Sequence, residues 1–216
     1  MKSTPQVVLD EIMSLYKGYS RVHRASTQPF HLEKYRKLEP SFVYDHEDLR
    51  IREPLIEHVG GLPVVATAIY PHIGEADVDL GDALKMLAIH DIGELATGDE
   101  ITFTKQSAQA DEEQTRALEM LHPSYHKMYM DMETQSTDTG KFAKAVDKMT
   151  PDIVDLMTPA EITIERYGKH LKKSPEEIVP LIKEHKHPYM TWNDFIKDLH
   201  LLILTKLEEK INTHAD

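Results

Sequence analysis

The sequence predicts an all-α protein, a single helical bundle, and three observations carry that prediction. Glycine occurs nine times in 216 residues, apolar residues recur at helical spacing, and several segments open on a capping residue followed by proline. Taken in order, Thr4-Pro5 starts a helix to about Tyr16, with Val8, Leu9, Ile12, Met13, Leu15 and Tyr16 as its apolar stripe. Residues 18–49 are polar, aromatic and unperiodic, and read as a long loop of the kind that is functional when it occurs in a compact domain. Pro54 opens a helix carrying Leu55, Val59, Val64, Val65, Ala68 and Ile69, strained in its middle by Gly60, Gly61 and Pro63. Asp79 caps a helix through Leu84, Leu87, Ala88 and Ile89. Helices follow from about Ala110 to Met120 and from about Pro123 to Met132, and another starts at Ser136 or Thr137 and reaches Asp147. Thr158-Pro159 with Glu161, and Ser174-Pro175 with Glu177, are two capping-box starts. The last helix runs from about Trp192 to Ile211, with Thr191 as cap.

Size and composition bound the function. A chain of this length buries a full core and is expected to form one domain, 1–216, with its chemistry within about 50–150 and further helices over 151–216. No apolar run approaches the roughly 20 residues of a membrane span, and MKSTPQVVLDE has no apolar signal segment, so a soluble, cytoplasmic protein with no membrane partner is expected. The absence of cysteine excludes disulfides and thiolate chemistry and fits a reducing compartment. Any metal must be held by nitrogen and oxygen. A net charge of −12 argues against a nucleic-acid partner, whose phosphates need clustered Lys and Arg. An anionic substrate would need a cation or a few placed basic groups to reverse the local field.

The informative stretch is LAIHDIGELATGD, from Leu87 to Asp99. Neighbouring residues on a helix point about 100° apart, so His90 and Asp91 converge only on a point beside the helix end. A divalent cation is the natural occupant, and imidazole plus carboxylate suits Mn, Fe, Co, Ni, Zn or Mg. Two ligands are too few. His58 in EPLIEHVGG and Asp147 in KFAKAVDKM are ionisable groups in apolar or helical settings, where such groups are unexpected unless paired or ligating. A cation held by nitrogen and oxygen with open positions makes hydroxide available near neutral pH, which is a hydrolase's nucleophile.

The order His58, His90-Asp91, Asp147 resembles the HD-domain superfamily of metal-dependent phosphohydrolases. HDIGELATGD is similar to the branch containing the bacterial 5′-deoxynucleotidases and their eukaryotic relatives, as is METQSTDTGKFAKAVDK at 132–148. The resemblance implies His58, His90, Asp91 and Asp147 as ligands of one divalent metal ion, and Glu94 and Asp99 as the catalytic carboxylates. In that role Glu94 protonates the leaving oxygen and Asp99 positions water or the sugar. The substrate implied is a small phosphomonoester, a nucleoside 5′-monophosphate being the leading candidate. The family also places an upstream arginine on the phosphate; Arg24, Arg36, Arg50 and Arg52 are the candidates, with Lys105 a further cation. Relatives commonly form homodimers, and the apolar stripe of the C-terminal helix has two uses, core or interface.

Other readings are weighed against this one. HDIG also resembles cyclic-dinucleotide phosphodiesterases, but those continue with lysine where this chain has Glu94, and carry a Gly-Tyr-Pro motif that is absent. A dinuclear oxygenase would need further histidines, which only His122 and His126 offer, and surface placement is the simpler reading of those two. A non-catalytic nucleotide or metal sensor would need neither Glu94 nor Asp99.

Overall fold

The structure is a computed structural model that describes Gly18, Tyr19, Val22, Arg24, Glu53 and residues 55–215. The helix expected from Pro5, most of the loop expected over 18–49, and Arg36, Arg50 and Arg52 lie outside the described residues. Among the described residues all regular structure is helical. The α-helices are α1 Leu55–Ile69, α2 Leu80–Ile89, α3 Glu94–Thr97, α4 Ser107–Met120, α5 His126–Glu133, α6 Asp138–Met157, α7 Ala160–Leu171, α8 Pro175–Lys186 and α9 Asp194–Ala215. Short 3-10 turns occur at Tyr70–His72, Pro123–Tyr125 and His187–Met190. None of the described helices is long and apolar enough to cross a membrane.

Two compact units emerge. The first comprises Met1–Gly60 and His90–His126, the second Gly61–Ile89 and Lys127–Asp216. In the first unit α3 packs on α4, and Leu55, Ile92, Ala117 and Leu121 are buried there. The second unit is built around α6, which packs against α2 and α9, while α8 and α9 pack together and α7 lies against both. Its core gathers Leu62, Ala66, Leu87, Phe142, Val146, Met149, Met190 and Ile196.

Helix α1 reaches Ile69 as expected, whereas α6 runs further than expected. Helix α1 continues unbroken through Gly60, Gly61 and Pro63, and α6 does not stop near Asp147 but passes Pro151 to reach Met157. An interior proline costs about 3 kcal/mol, but each helix packs against the core on both sides of its proline, α6 through half-buried Ile153 and Leu156 after Pro151. Leu55 and Leu62 precede Pro63 and Ala66 and Ile69 follow it; α6 buries Phe142, Val146 and Met149, and its later turns bury Asp152 and Asp155. Burial over several turns outweighs one lost hydrogen bond.

The capping pattern is partly as expected. Asp79 accepts from the Asp82 amide at 2.8 Å, and Thr137 accepts from the Gly140 amide at 3.0 Å. Glu177 accepts from the Ser174 amide and hydroxyl, both at 3.0 Å, closing the box expected there. At Thr158 the expectation fails, because its hydroxyl donates back to the Val154 carbonyl at 2.9 Å and α7 starts at Ala160. Helix α9 begins at Asp194 and is capped by Asn193 instead of Thr191: Asn193 accepts from the Ile196 amide at 3.2 Å while its own amide donates to Ile73 at 2.9 Å. Asparagine serves both bonds, which a threonine hydroxyl two residues earlier cannot reach. Helix α4 starts at Ser107, a turn before Ala110, with Gln109 accepting from the Gln106 amide at 2.9 Å.

The second unit holds a buried ionic layer. Arg166 donates to Asp155 at 2.5 Å, Lys186 pairs with Asp152, and His200, fully buried, has Nε2 3.5 Å from the same Asp152 carboxylate. His187 lies with Nδ1 3.2 Å from Nδ1 of His200. Lys210 donates to the carbonyls of Asp155 at 2.8 Å, Leu156 at 3.1 Å, and Thr158, supplying donors that the end of α6 lacks.

Candidate active site

The backbone delivers the site residues before any side chain does. Helix α2 ends at Ile89, and the chain turns through His90–Gly93 into the single turn of α3. The Glu94 amide donates to Asp91 at 3.1 Å, and the Gly98 amide to Glu94 at 2.8 Å. Gly98 has φ +81°, a conformation that side chains resist; glycine there lets the chain reverse so that Asp99 follows Glu94 closely in space. Upstream, the Arg24 amide donates to Glu53 at 2.8 Å and the Leu55 amide to Val22 at 2.9 Å. This pairing clamps the Arg24 segment to the start of α1, the helix that carries His58.

Those elements bring His58, His90, Asp91, Glu94, Asp99 and Arg24 together within the first unit. The His58 and His90 rings are 5.7 Å apart. His58 Nε2 lies 3.6 Å from Asp91 Oδ2, and His90 Nε2 lies 3.0 Å from Asp91 Oδ1. All three side chains are buried. Two imidazole nitrogens aimed at one buried carboxylate form a nitrogen-and-oxygen donor set of the kind that divalent transition metals prefer, so the residues present fit such an ion. Arg24 Nη1 reaches Asp99 at 3.1 Å, Asp91 at 3.4 Å and Glu94 at 3.9 Å.

The electrostatics separate the carboxyls. Burial alone would raise Asp91, but the charge and hydrogen bond of His90, with Arg24 and His58 behind it, hold its carboxyl well below the ordinary range. Burial pushes Glu94 the other way, reinforced by the charges of Asp91 and Asp99 against the opposing Arg24, so its carboxyl stands well above the usual carboxylate value. Two neighbouring acids whose affinities for a proton are driven apart suit a division of acid and base roles. Tyr19 is buried nearby, its phenol raised by burial and then by Asp91 and Glu94.

Asp147 lies in the second unit, in the interior of α6 and not at its end, with 4% exposure. Its Oδ2 is 3.1 Å from Lys148 Nζ. Lys105 forms an ion pair with Glu113. Of the two cationic candidates within the described residues, Arg24 and Lys105, it is Arg24 that lies among the site carboxylates. His122 bonds locally to Ser124 at 2.9 Å, and His126 to the Leu121 carbonyl at 3.0 Å, so neither ring is directed toward a second centre. Sequence reasoning missed Tyr19 and Glu113. Tyr19 sits in a segment without periodicity, and Glu113 is one acid among several on α4; no sequence signal marks either.

No curated protein matches the chain. A crystal structure from Magnetospirillum magnetotacticum MS-1, described as a predicted metal-dependent phosphohydrolase, superposes with a TM-score of 0.64 at 20% identity, covering 97% of each chain. That likeness is one of fold. Residues 48–177 match the HD domain family, which takes in every site residue named above except Tyr19 and Arg24. With more than half of its length matched, and His90-Asp91 at the turn after α2, the chain belongs to the HD domain family.

Proposed function

We propose that this protein is a metal-dependent phosphohydrolase that releases phosphate from a small phosphomonoester, a nucleoside 5′-monophosphate being the substrate the 5′-deoxynucleotidase-like sequence pattern favours. The observation that carries the reading is the pairing of His58 and His90 on Asp91, with Glu94, its carboxyl raised by burial, in the turn that follows. The family membership supports it, as does the description of the Magnetospirillum protein. In this reading residues 1–216 work as one domain, since the family match runs through segments of both units.

His58, His90 and Asp91 hold the cation, and Asp147, at the family's last ligand position and buried in α6, is the further donor. A divalent cation held there supplies a nucleophile from water near neutral pH and offsets phosphate charge. The identity of the ion is left to Mn, Fe, Co, Ni, Zn or Mg, all of which accept this donor chemistry. Arg24 meets the phosphate oxygens, trading its carboxylate contacts for them, with Lys105 as a second cation. Asp99 orients the attacking water. As the water oxygen bonds to phosphorus and the ester P–O bond breaks, Glu94 gives its proton to the leaving oxygen. The products are inorganic phosphate and an alcohol.

The test uses leaving groups of different need. Metal-stripped protein is reloaded with each ion singly and offered nucleoside monophosphates and p-nitrophenyl phosphate. Glu94→Gln should lower phosphate release from the nucleotide by about a hundred- to ten-thousand-fold, with a much smaller loss on the nitrophenyl ester, whose leaving group needs no proton. Metal content should not change. Wild-type silence on every phosphomonoester, with tight nucleotide binding, would assign the protein as a sensor instead.

A further inference from the structure

Glu113 presents a problem for this site. It lies in the interior of α4, its side chain 13% exposed, and α4 packs on α3. The packing is so close that a Cβ on Gly93 would lie 2.3 Å from the Glu113 carbonyl oxygen and 2.9 Å from its Cγ. The stem of Glu113 therefore rests against the residue that immediately precedes Glu94. Its charge is among those that Glu94 feels. A carboxylate this close works against an enzyme that must admit a phosphate dianion. Gly93 meets the Glu113 backbone and the first carbons of its side chain.

What the carboxylate does hold is Lys105. The ammonium of Lys105 pairs with Glu113 Oε2 from the loop beyond Asp99, with 21% exposure of its side chain. That loop is closed by the Thr104 and Lys105 amides donating to the Ile101 carbonyl at 2.9 and 3.0 Å. The turn fixes the lysine backbone, but a lysine side chain has four rotatable bonds and no preferred direction of its own.

We infer that Glu113 is a positioning residue, which holds the Lys105 ammonium beside the Gly93-Glu94 turn as a second cation for the phosphate of the substrate. The inference rests on the phosphohydrolase reading and adds to it the residue that aims Lys105. It also has a sign that bulk electrostatics lacks. Removing a negative charge near an anion site should tighten anion binding, whereas removing the group that aims the cation should weaken it.

The experiment measures inorganic phosphate binding to metal-loaded protein by calorimetry, alongside KM and kcat, for wild type, Glu113→Gln, Lys105→Met and the double variant. Glu113→Gln should weaken phosphate binding and raise KM by about three- to ten-fold, the scale of a half-buried ion pair, with kcat little changed. The double variant should bind no more weakly than Lys105→Met alone, and Glu113→Asp should recover part of the loss. Tighter or unchanged phosphate binding in Glu113→Gln, or losses that add in the double variant, would overturn the inference while leaving a phosphate-binding wild type, and so the function, intact. A wild type that neither binds phosphate nor releases it overturns both.

Discussion

At the scale of single residues, the site is governed by what each group is pressed against. His90, Asp91 and Glu94 drew notice in sequence through their spacing, a His-Asp pair at a helix end and then an acid one turn on, and the structure buries all three. Arg24 was one of four candidate arginines in sequence; it is placed by the backbone bonds from Arg24 to Glu53 and from Leu55 to Val22, and such a pairing leaves no periodic trace. Gly93 has an ordinary φ of −62°, and its constraint is the Glu113 backbone 2.3 Å from where a Cβ would stand. Gly93→Ala should therefore destabilise the protein by about 1–3 kcal/mol through overpacking and depress phosphate release, as read from urea unfolding and turnover of the same preparation. Unfolding at the wild-type midpoint would show that α4 yields readily.

At the scale of elements, helix starts were legible where a side chain had one partner within reach and less so where it had two. Ser174 and Glu177 satisfy each other, and the box was readable from four letters. Thr158 had a choice and took the carbonyl of the preceding turn. The end of α6 was misjudged, because the burial that carries the helix past Pro151 is distributed over several turns. The Ser174 box makes a prediction about acid. The Ser174 amide first, then Lys173 and the Ser174 hydroxyl, lower Glu177 from 4.5 to about 2. A depressed folded value means the contribution is complete above pH 4.5 and is lost as the pH falls toward about 2. Stability of the wild type should decline over that window, and Glu177→Gln should flatten part of the decline in denaturant titrations at successive pH values. The carboxylate is exposed, so the effect is small but of fixed sign.

At the scale of the molecule, the all-α class followed from periodicity and glycine scarcity, while the ionic layer of the second unit did not. Asp152, Asp155, Arg166, Lys186 and His200 stand on α6, α7, α8 and α9, far apart in sequence and individually indistinguishable from surface charges. Burial would lower Arg166, but the adjacent Asp155 carboxylate keeps its guanidinium firmly charged. Deleting one partner leaves the other buried and uncompensated, so Asp155→Ala should cost about 3–5 kcal/mol of unfolding free energy. Replacing both, as Asp155→Leu with Arg166→Met, should return most of it; chemical denaturation distinguishes the two cases. A double variant as weak as the single one would mean that the layer holds the helices through something other than charge pairing.

The three carbonyls gathered by Lys210 make the far end of α9 more than a tail. Helix α6 finishes on a proton donor borrowed from a residue more than fifty positions further along the chain. Its last turn is therefore completed only after almost the whole polypeptide has been made, and acylating that one amine would reopen the turn without altering a single backbone atom.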